Sequence, residues 1–347
     1  MELTGHKCDA LLIYLGKKID SQCMYLLSEV HETRLSFQIP KIFNLVAIMI
    51  LSRGKCGLST CTTHYLMAMA VADLLVIIVD VILWRISFYY FPDSFLNITP
   101  VCSTIDVLSG ASTDCSVWFT VVFSLDRFVA ICCQKLRRKF CTEKVATGVL
   151  ATTCILLCSK NIPFYLTFEP KEIINNIPWF CNVKPSFYSD PEWVVFDWID
   201  MILTPWLPFA LILLLNALTV RHILVTSQIR KRLKDQNKEE ICSDPEMKSR
   251  RKSSILLFTI SSSFILLWLT HVVEFLYYNI AGMEPTDYNY SLYIFAEVGF
   301  MLRSLNCCTN TFIYGVTQSK FREQLKNAVN CPISTIIQSI NNEKKKF

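Results

Sequence analysis

The sequence predicts an all-α membrane protein, a seven-transmembrane helix bundle followed by a short cytosolic amphipathic helix, and three observations carry that prediction. Hydrophobic residues make up 52% of the 347 positions and charged residues only 18%. That balance excludes a disordered chain and argues against a soluble globular one. Apolar runs of about 20 residues, the length that crosses a bilayer core, recur along the chain. Lys and Arg gather between alternate runs, as they do in cytosolic loops.

The first span, residues 37–51, is the weakest, because it is short and contains Pro40 and Lys41. Glu29, Glu32 and Arg34 stand where further apolar residues would lengthen it. Stronger runs follow at residues 64–84, 102–131, 145–168, 194–225, 253–281 and 290–314. The implied organisation is an extracellular N-terminal segment over residues 1–36, a bundle over 37–315, an amphipathic helix over 316–330 and a cytosolic tail over 331–347. Residues 10–15 are too short for a secretory signal core and are followed by Lys17 and Lys18, so the first span is expected to act as its own signal anchor.

Orientation follows from the basic residues. Arg53 and Lys55, then Lys135 to Lys139, then Arg230 to Lys234 with Lys248 to Lys252, then Lys320, Arg322 and Lys326 mark one side as cytosolic. The opposite loops carry Glu169, Glu172, Asp190, Glu192, Glu284 and Asp287. Two N-glycosylation sequons, at Asn97 and Asn289, fall on that outer side. The net charge of +5 therefore reflects loops facing an anionic leaflet, and membrane lipids rather than nucleic acid are the expected polyanionic partner. A multi-pass plasma-membrane protein with an extracellular N-terminus is the expectation.

Most cysteines lie in spans or on the reducing side. Cys102, at the outer end of the third span, and Cys181, in the long loop after the fourth, lie on the oxidising side. A bridge between them would pin that loop over the mouth of the bundle. Cys331, beyond the amphipathic stretch, is a candidate for palmitoylation beside basic residues. No Cys and His pair has ligand spacing within one loop, so no zinc site is expected.

Charge inside a membrane is costly unless paired, solvated or used. Asp73 sits at mid-depth in the second span, and Asn306 and Asn310, four apart, share one face of the seventh. Asp126-Arg127-Phe128 closes the third span directly before a basic segment. From the outer half of the bundle, Asp106, Ser109 and Thr113 on the third span, Trp268, His271 and Phe275 on the sixth, and Glu297 and Arg303 on the seventh are expected to face inward and to line a ligand pocket. Two readings stand for Arg303. One is a structural ion pair with Asp80, and the other is a receiver for a ligand carboxylate.

Asn44, Asp73, Cys102, Asp126-Arg127-Phe128, Cys181, Pro208, Phe264, Trp268, Asn310 and Tyr314 together make residues 44–330 resemble the rhodopsin-like G-protein-coupled receptors. Trp198 to Pro208, Leu215-Asn216, Phe258 to Ile260 and Asn306 to Tyr314 look within that class like the orphan group of G-protein-coupled receptors 139 and 142. The resemblance implies a receptor for an aromatic amino acid-like molecule, or for a peptide, acting on a heterotrimeric G protein of the Gq class. It implies G-protein coupling through Asp126, Arg127, Phe128 and Tyr314. It implies a sodium-binding polar switch made of Asp73, Ser116, Asn306 and Asn310, with no other metal or cofactor.

The chain departs from that pattern at several points. Leu267-Trp268-Leu269-Thr270 lacks the usual sixth-span proline, so no proline kink is expected there. Thr311 replaces a proline, and Ser109 and His271 stand where the orphan group has an acid and an arginine. A receptor-like protein that does not signal is the alternative these departures suggest. A secondary transporter would also bury Asp73, Asp114, Glu274, Glu297 and Arg303, but no internal repeat or Gly- and Pro-broken helix accompanies them. No nucleophile, base and orienting group can be assembled, so an enzyme is not expected and no catalytic residue is assigned.

Overall fold

The computed structural model describes residues 34–54, 58–237, 245–281 and 290–327. Asn289, Cys331, the segment before residue 34 and the tail over 331–347 lie outside the described residues.

Among the described residues, seven long helices run in sequence. The first is Arg34–Ser52. The second opens at Thr60, where the Ser59 hydroxyl accepts the Thr62 N–H at 3.3 Å and satisfies one of the helix's free donors. It continues to Val76 and then widens into a π-helical stretch over Ile77–Ile86. The third, Thr99–Cys132, is 34 residues long and begins with Pro100 in its first turn, where a missing N–H costs nothing. The fourth, Glu143–Asn161, is capped by Thr142, whose hydroxyl accepts the Val145 N–H. The fifth starts at Pro191–Met201, passes through a π-helical stretch at Ile202–Trp206 around Pro205, and runs on as Leu207–Asn237. The sixth, Pro245–Ala281, is unbroken, as the absent proline predicts. The seventh is Tyr290–Thr317, and after Gln318 residues 319–327 form a separate helix.

Among the described residues, five of these helices are long and apolar enough to cross a membrane: Thr60–Ile86, Thr99–Cys132, Glu143–Thr167, Pro191–Ile229 and Ser254–Tyr277. The first offers only the shorter apolar stretch Ile42–Ser52. Ala47, Ile50 and Leu51 pack it into the inner apolar cluster, and its tie to the seventh helix is polar. Asn44 is fully buried, donates to the Cys307 carbonyl at 2.8 Å and accepts the Thr311 hydroxyl at 2.9 Å. Thr311, where a proline is usual, thus supplies a donor that a proline lacks, and two bonds hold the weak first span against the seventh.

Apolar side chains divide by face. Leu66, Met69, Phe123, Leu257, Ile260 and Tyr314 pack in one inner cluster, and Val117, Val121, Ile212, Phe264 and Trp268 in a second. Ile155, Leu156 and Ile162 on the fourth span point outward, as side chains that meet lipid rather than water would.

The fold adds elements that residue patterning did not indicate, among them a short helix, Gln134–Phe140, and a hairpin. The loop after the fourth span is an antiparallel hairpin, β1 (Phe168–Ile174) and β2 (Ile177–Val183). Asn175 and Asn176 form its two-residue turn with φ of 51° and 61°, the left-handed pair such a turn requires and asparagine tolerates. A disulfide between Cys181 on β2 and Cys102 fastens the hairpin to the third span, and the Thr99 hydroxyl donates to the Phe180 carbonyl at 2.8 Å beside it.

Candidate functional site

A cavity of about 340 Å³ opens between the outer halves of the second to seventh helices. Of the residues expected in a pocket, Asp106, Ser109, Thr113, Trp268, His271 and Arg303 line it. Phe275 and Glu297 do not. Phe275 packs edge-on against Trp198 at 6.2 Å, and Glu297 is drawn aside by Arg85 at 2.7 Å.

Arg303 meets Asp80 at 3.2 Å, so the ion-pair reading of this arginine is the one the geometry shows. The two π-helical stretches explain part of the lining that sequence spacing missed. Each adds a residue per turn and re-aims its side chains, bringing Trp84 and Arg85 from one side and Thr204 from the other to the cavity wall beside the expected Asp80.

A second polar network was also not legible. Asp114 on the third span meets Lys160 of the fourth at 2.7 Å and accepts the Asn161 amide at 2.6 Å, while Lys160 also pairs with Asp200 of the fifth. Three spans are therefore joined by one cation and two acids. Gly110 makes the approach feasible, since a Cβ there would lie 2.3 Å from Asn161 Oδ1. A buried Lys in the fourth span beside two unassigned acids was the signal that could have found this network.

Below the cavity, Asp73 is fully buried and accepts from the Ser116 hydroxyl on one oxygen and from the Asn310 amide, at 2.8 Å, on the other. Asn306, 3% exposed, keeps a buried Oδ1 with no hydrogen-bond partner. The Asp73 carboxylate and the Ser116 hydroxyl beside it, with an unpartnered amide oxygen one turn before Asn310 on the seventh helix, are oxygen donors of the kind a hard cation takes.

At the inner end, Arg127 donates to Asp126 Oδ2 through Nε at 3.0 Å and again through Nη2. Cys61 Sγ donates to the other carboxylate oxygen at 3.1 Å, and Cys141 Sγ to the Asp126 carbonyl at 3.7 Å. Both thiols escaped sequence reading. Phe128 is half-buried next to the pair. Tyr314 is buried, stacks edge-on against Phe321 at 5.9 Å, and carries a hydroxyl without a partner.

The structure bears on two further expectations. Asn97 is 5% exposed, and its Nδ2, the atom a sugar would occupy, donates to the Phe91 and Pro92 carbonyls at 2.9 Å each, so the folded chain has no free acceptor amide there. Cysteines do converge, though across spans rather than in a loop. Cys115, Cys154 and Cys158 place their sulfurs within 4.8 Å of one another between the third and fourth helices, a set that could hold a soft ion.

Residues 43–314 match the family described as 7 transmembrane receptor (rhodopsin family). Among curated proteins, mouse probable G-protein coupled receptor 142 is 23% identical over 276 residues, covering 77% of this chain and 65% of that protein. Rat proteinase-activated receptor 2 is 24% identical over 272 residues, covering 77% and 63%. The Drosophila melanogaster FMRFamide receptor is 24% identical over 294 residues, covering 80% and 49%. The chain spans about half to two thirds of the length of these relatives.

Proposed function

Since the chain belongs to the 7 transmembrane receptor (rhodopsin) family, we propose that it takes up a small molecule or the end of a peptide in the outer cavity and activates a heterotrimeric G protein. In this reading it stands in the plasma membrane with its N-terminus outside. The observation that carries it is one helix with both ends equipped: Asp106, Ser109 and Thr113 face the cavity, and the buried Asp126–Arg127 pair closes the opposite end. A ligand that binds one arrangement of the helices better than another shifts their equilibrium, and release of Arg127 from Asp126 would offer a guanidinium to the G protein. A sodium ion held by Asp73, Ser116 and Asn306 would favour the resting arrangement by neutralising the buried carboxylate. The Gq class is inferred from the resemblance to the orphan group of receptors 139 and 142, and a peptide ligand from the similarity to the FMRFamide receptor.

The unbroken sixth helix favours a second reading, a receptor-like chain that reaches the surface without signalling, because a helix with no proline break lacks a preset point about which to swing. Dissociation of each G-protein class, measured in cells at matched surface expression, separates the two. Gq dissociation that Arg127→Ala removes is expected. Dissociation of another class alone overturns the subtype, and none from any class overturns signalling.

A further inference from the structure

Resting on the reading of the outer cavity as the ligand site, we propose that its ligand is a cationic amine bearing a hydrogen-bond acceptor, an α-amino amide rather than a free amino acid. The bases lining the cavity are already committed, Arg303 to Asp80, Arg85 to Glu297 and His271 to Glu274, and Lys160 behind its wall is committed to Asp114 and Asp200. The acids are not matched in return. Lys160 serves two carboxylates, and Asp106, which lines the cavity, has among the described residues neither an ion-pair partner nor a hydrogen-bond donor. A carboxylate facing a confined, poorly solvated space is costly until a cation compensates it, and a ligand ammonium is such a cation. A ligand carboxylate meets the reverse situation. It would have to displace Asp80 from Arg303 or Glu297 from Arg85 while facing a surplus of negative charge.

A second, independent observation gives the rest of the ligand. Trp268 is 3% exposed and its indole N–H has no partner; Arg303 Nε–H and the Thr204 hydroxyl, on two other lining residues, are also buried and unpartnered. Buried donors in native proteins are almost always satisfied, so unfilled donors around one cavity call for an acceptor that the ligand brings. A carboxamide oxygen meets that need without adding negative charge. Trp84, Phe164 and Phe300 supply aromatic wall on which a ring can pack. The volume of about 340 Å³ suits a small molecule or the terminal residue of a peptide.

The purified full chain in lipid nanodiscs is melted with millimolar L-phenylalaninamide, phenethylamine, L-phenylalanine or 3-phenylpropionate, four probes that share a ring and differ in charge and acceptor. The amide is expected to raise the melting temperature most and phenethylamine less, with L-phenylalanine at least about tenfold weaker than the amide and 3-phenylpropionate without effect. Asp106→Asn is expected to abolish the amide's shift, and Asp106→Glu, which keeps the carboxylate, to retain it. No shift with either cation, a shift with an acid equal to that with the amide, or an undiminished shift in Asp106→Asn overturns the proposal. No G protein is present in this measurement. A chain that binds the amide yet activates no G protein therefore loses the signalling reading alone.

Discussion

Asp80 on the second span holds Arg303 on the seventh at 3.2 Å across the floor of the cavity, with Trp268 and Phe300 flanking the guanidinium at 6.0 and 5.3 Å. Asp80→Ala is expected to leave a buried cation uncompensated and to destabilise the chain by about 3 kcal/mol. Asp80→Ala combined with Arg303→Ala should recover most of that loss, because no stranded charge remains. Thermal unfolding of the three variants in one detergent is the check, and additive losses would show that the pair is not coupled.

Asn97 is expected to carry no glycan in the folded protein. Glycosidase treatment of the surface-expressed chain should give the same mobility change in Asn97→Gln as in the unaltered sequence. Its amide is used instead to tie down the Phe91 and Pro92 carbonyls, so Asn97→Ala should cost about 1–2 kcal/mol, read as a lower melting temperature. A band shift specific to Asn97 would reverse this.

Gly110→Ala should push the Asn161 amide away from Asp114, since the added Cβ would lie 2.3 Å from Asn161 Oδ1 and that side chain can yield only by giving up its bonds to Asp114 and the Leu157 carbonyl. A loss of about 1–3 kcal/mol is expected. Asn161→Ala relieves the collision, so the double substitution should be less damaging than the sum of the two single ones.

Cys141, in the loop after the third span, has its thiol pushed up to about 11 from an ordinary 9.0, by burial first and by the negative charge of Asp126 next. The folded chain therefore holds this proton more tightly than the unfolded one. Its contribution to stability is complete below pH 9.0 and is lost as pH rises to about 11. Alkylation of Cys141 by iodoacetamide, followed by mass spectrometry, should be slow at pH 7.5 and accelerate only above about pH 10. Rapid alkylation at pH 7.5 would mean that the thiol is not held beside Asp126.

Near-continuous apolar runs and a few intramembrane charges determined the bundle and the places where its polar residues had to matter. These are local properties, because each span must satisfy its own backbone and match the bilayer alone. Asp126–Arg127, Asp73 with Ser116 and Asn310, and Cys102–Cys181 were legible for that reason together with family resemblance. Asp80 with Arg303 was also legible, but the tertiary structure alone decided how the remaining charges neutralise one another. Lys160 with Asp114 and Asp200, Arg85 with Glu297, and Cys61 with Asp126 each join different spans, and the π-helical stretches shift the facing of residues from the regular 3.6-residue count. Pairing across a bundle depends on helix rotation and depth, which side-chain packing sets, and no spacing within a single helix encodes either.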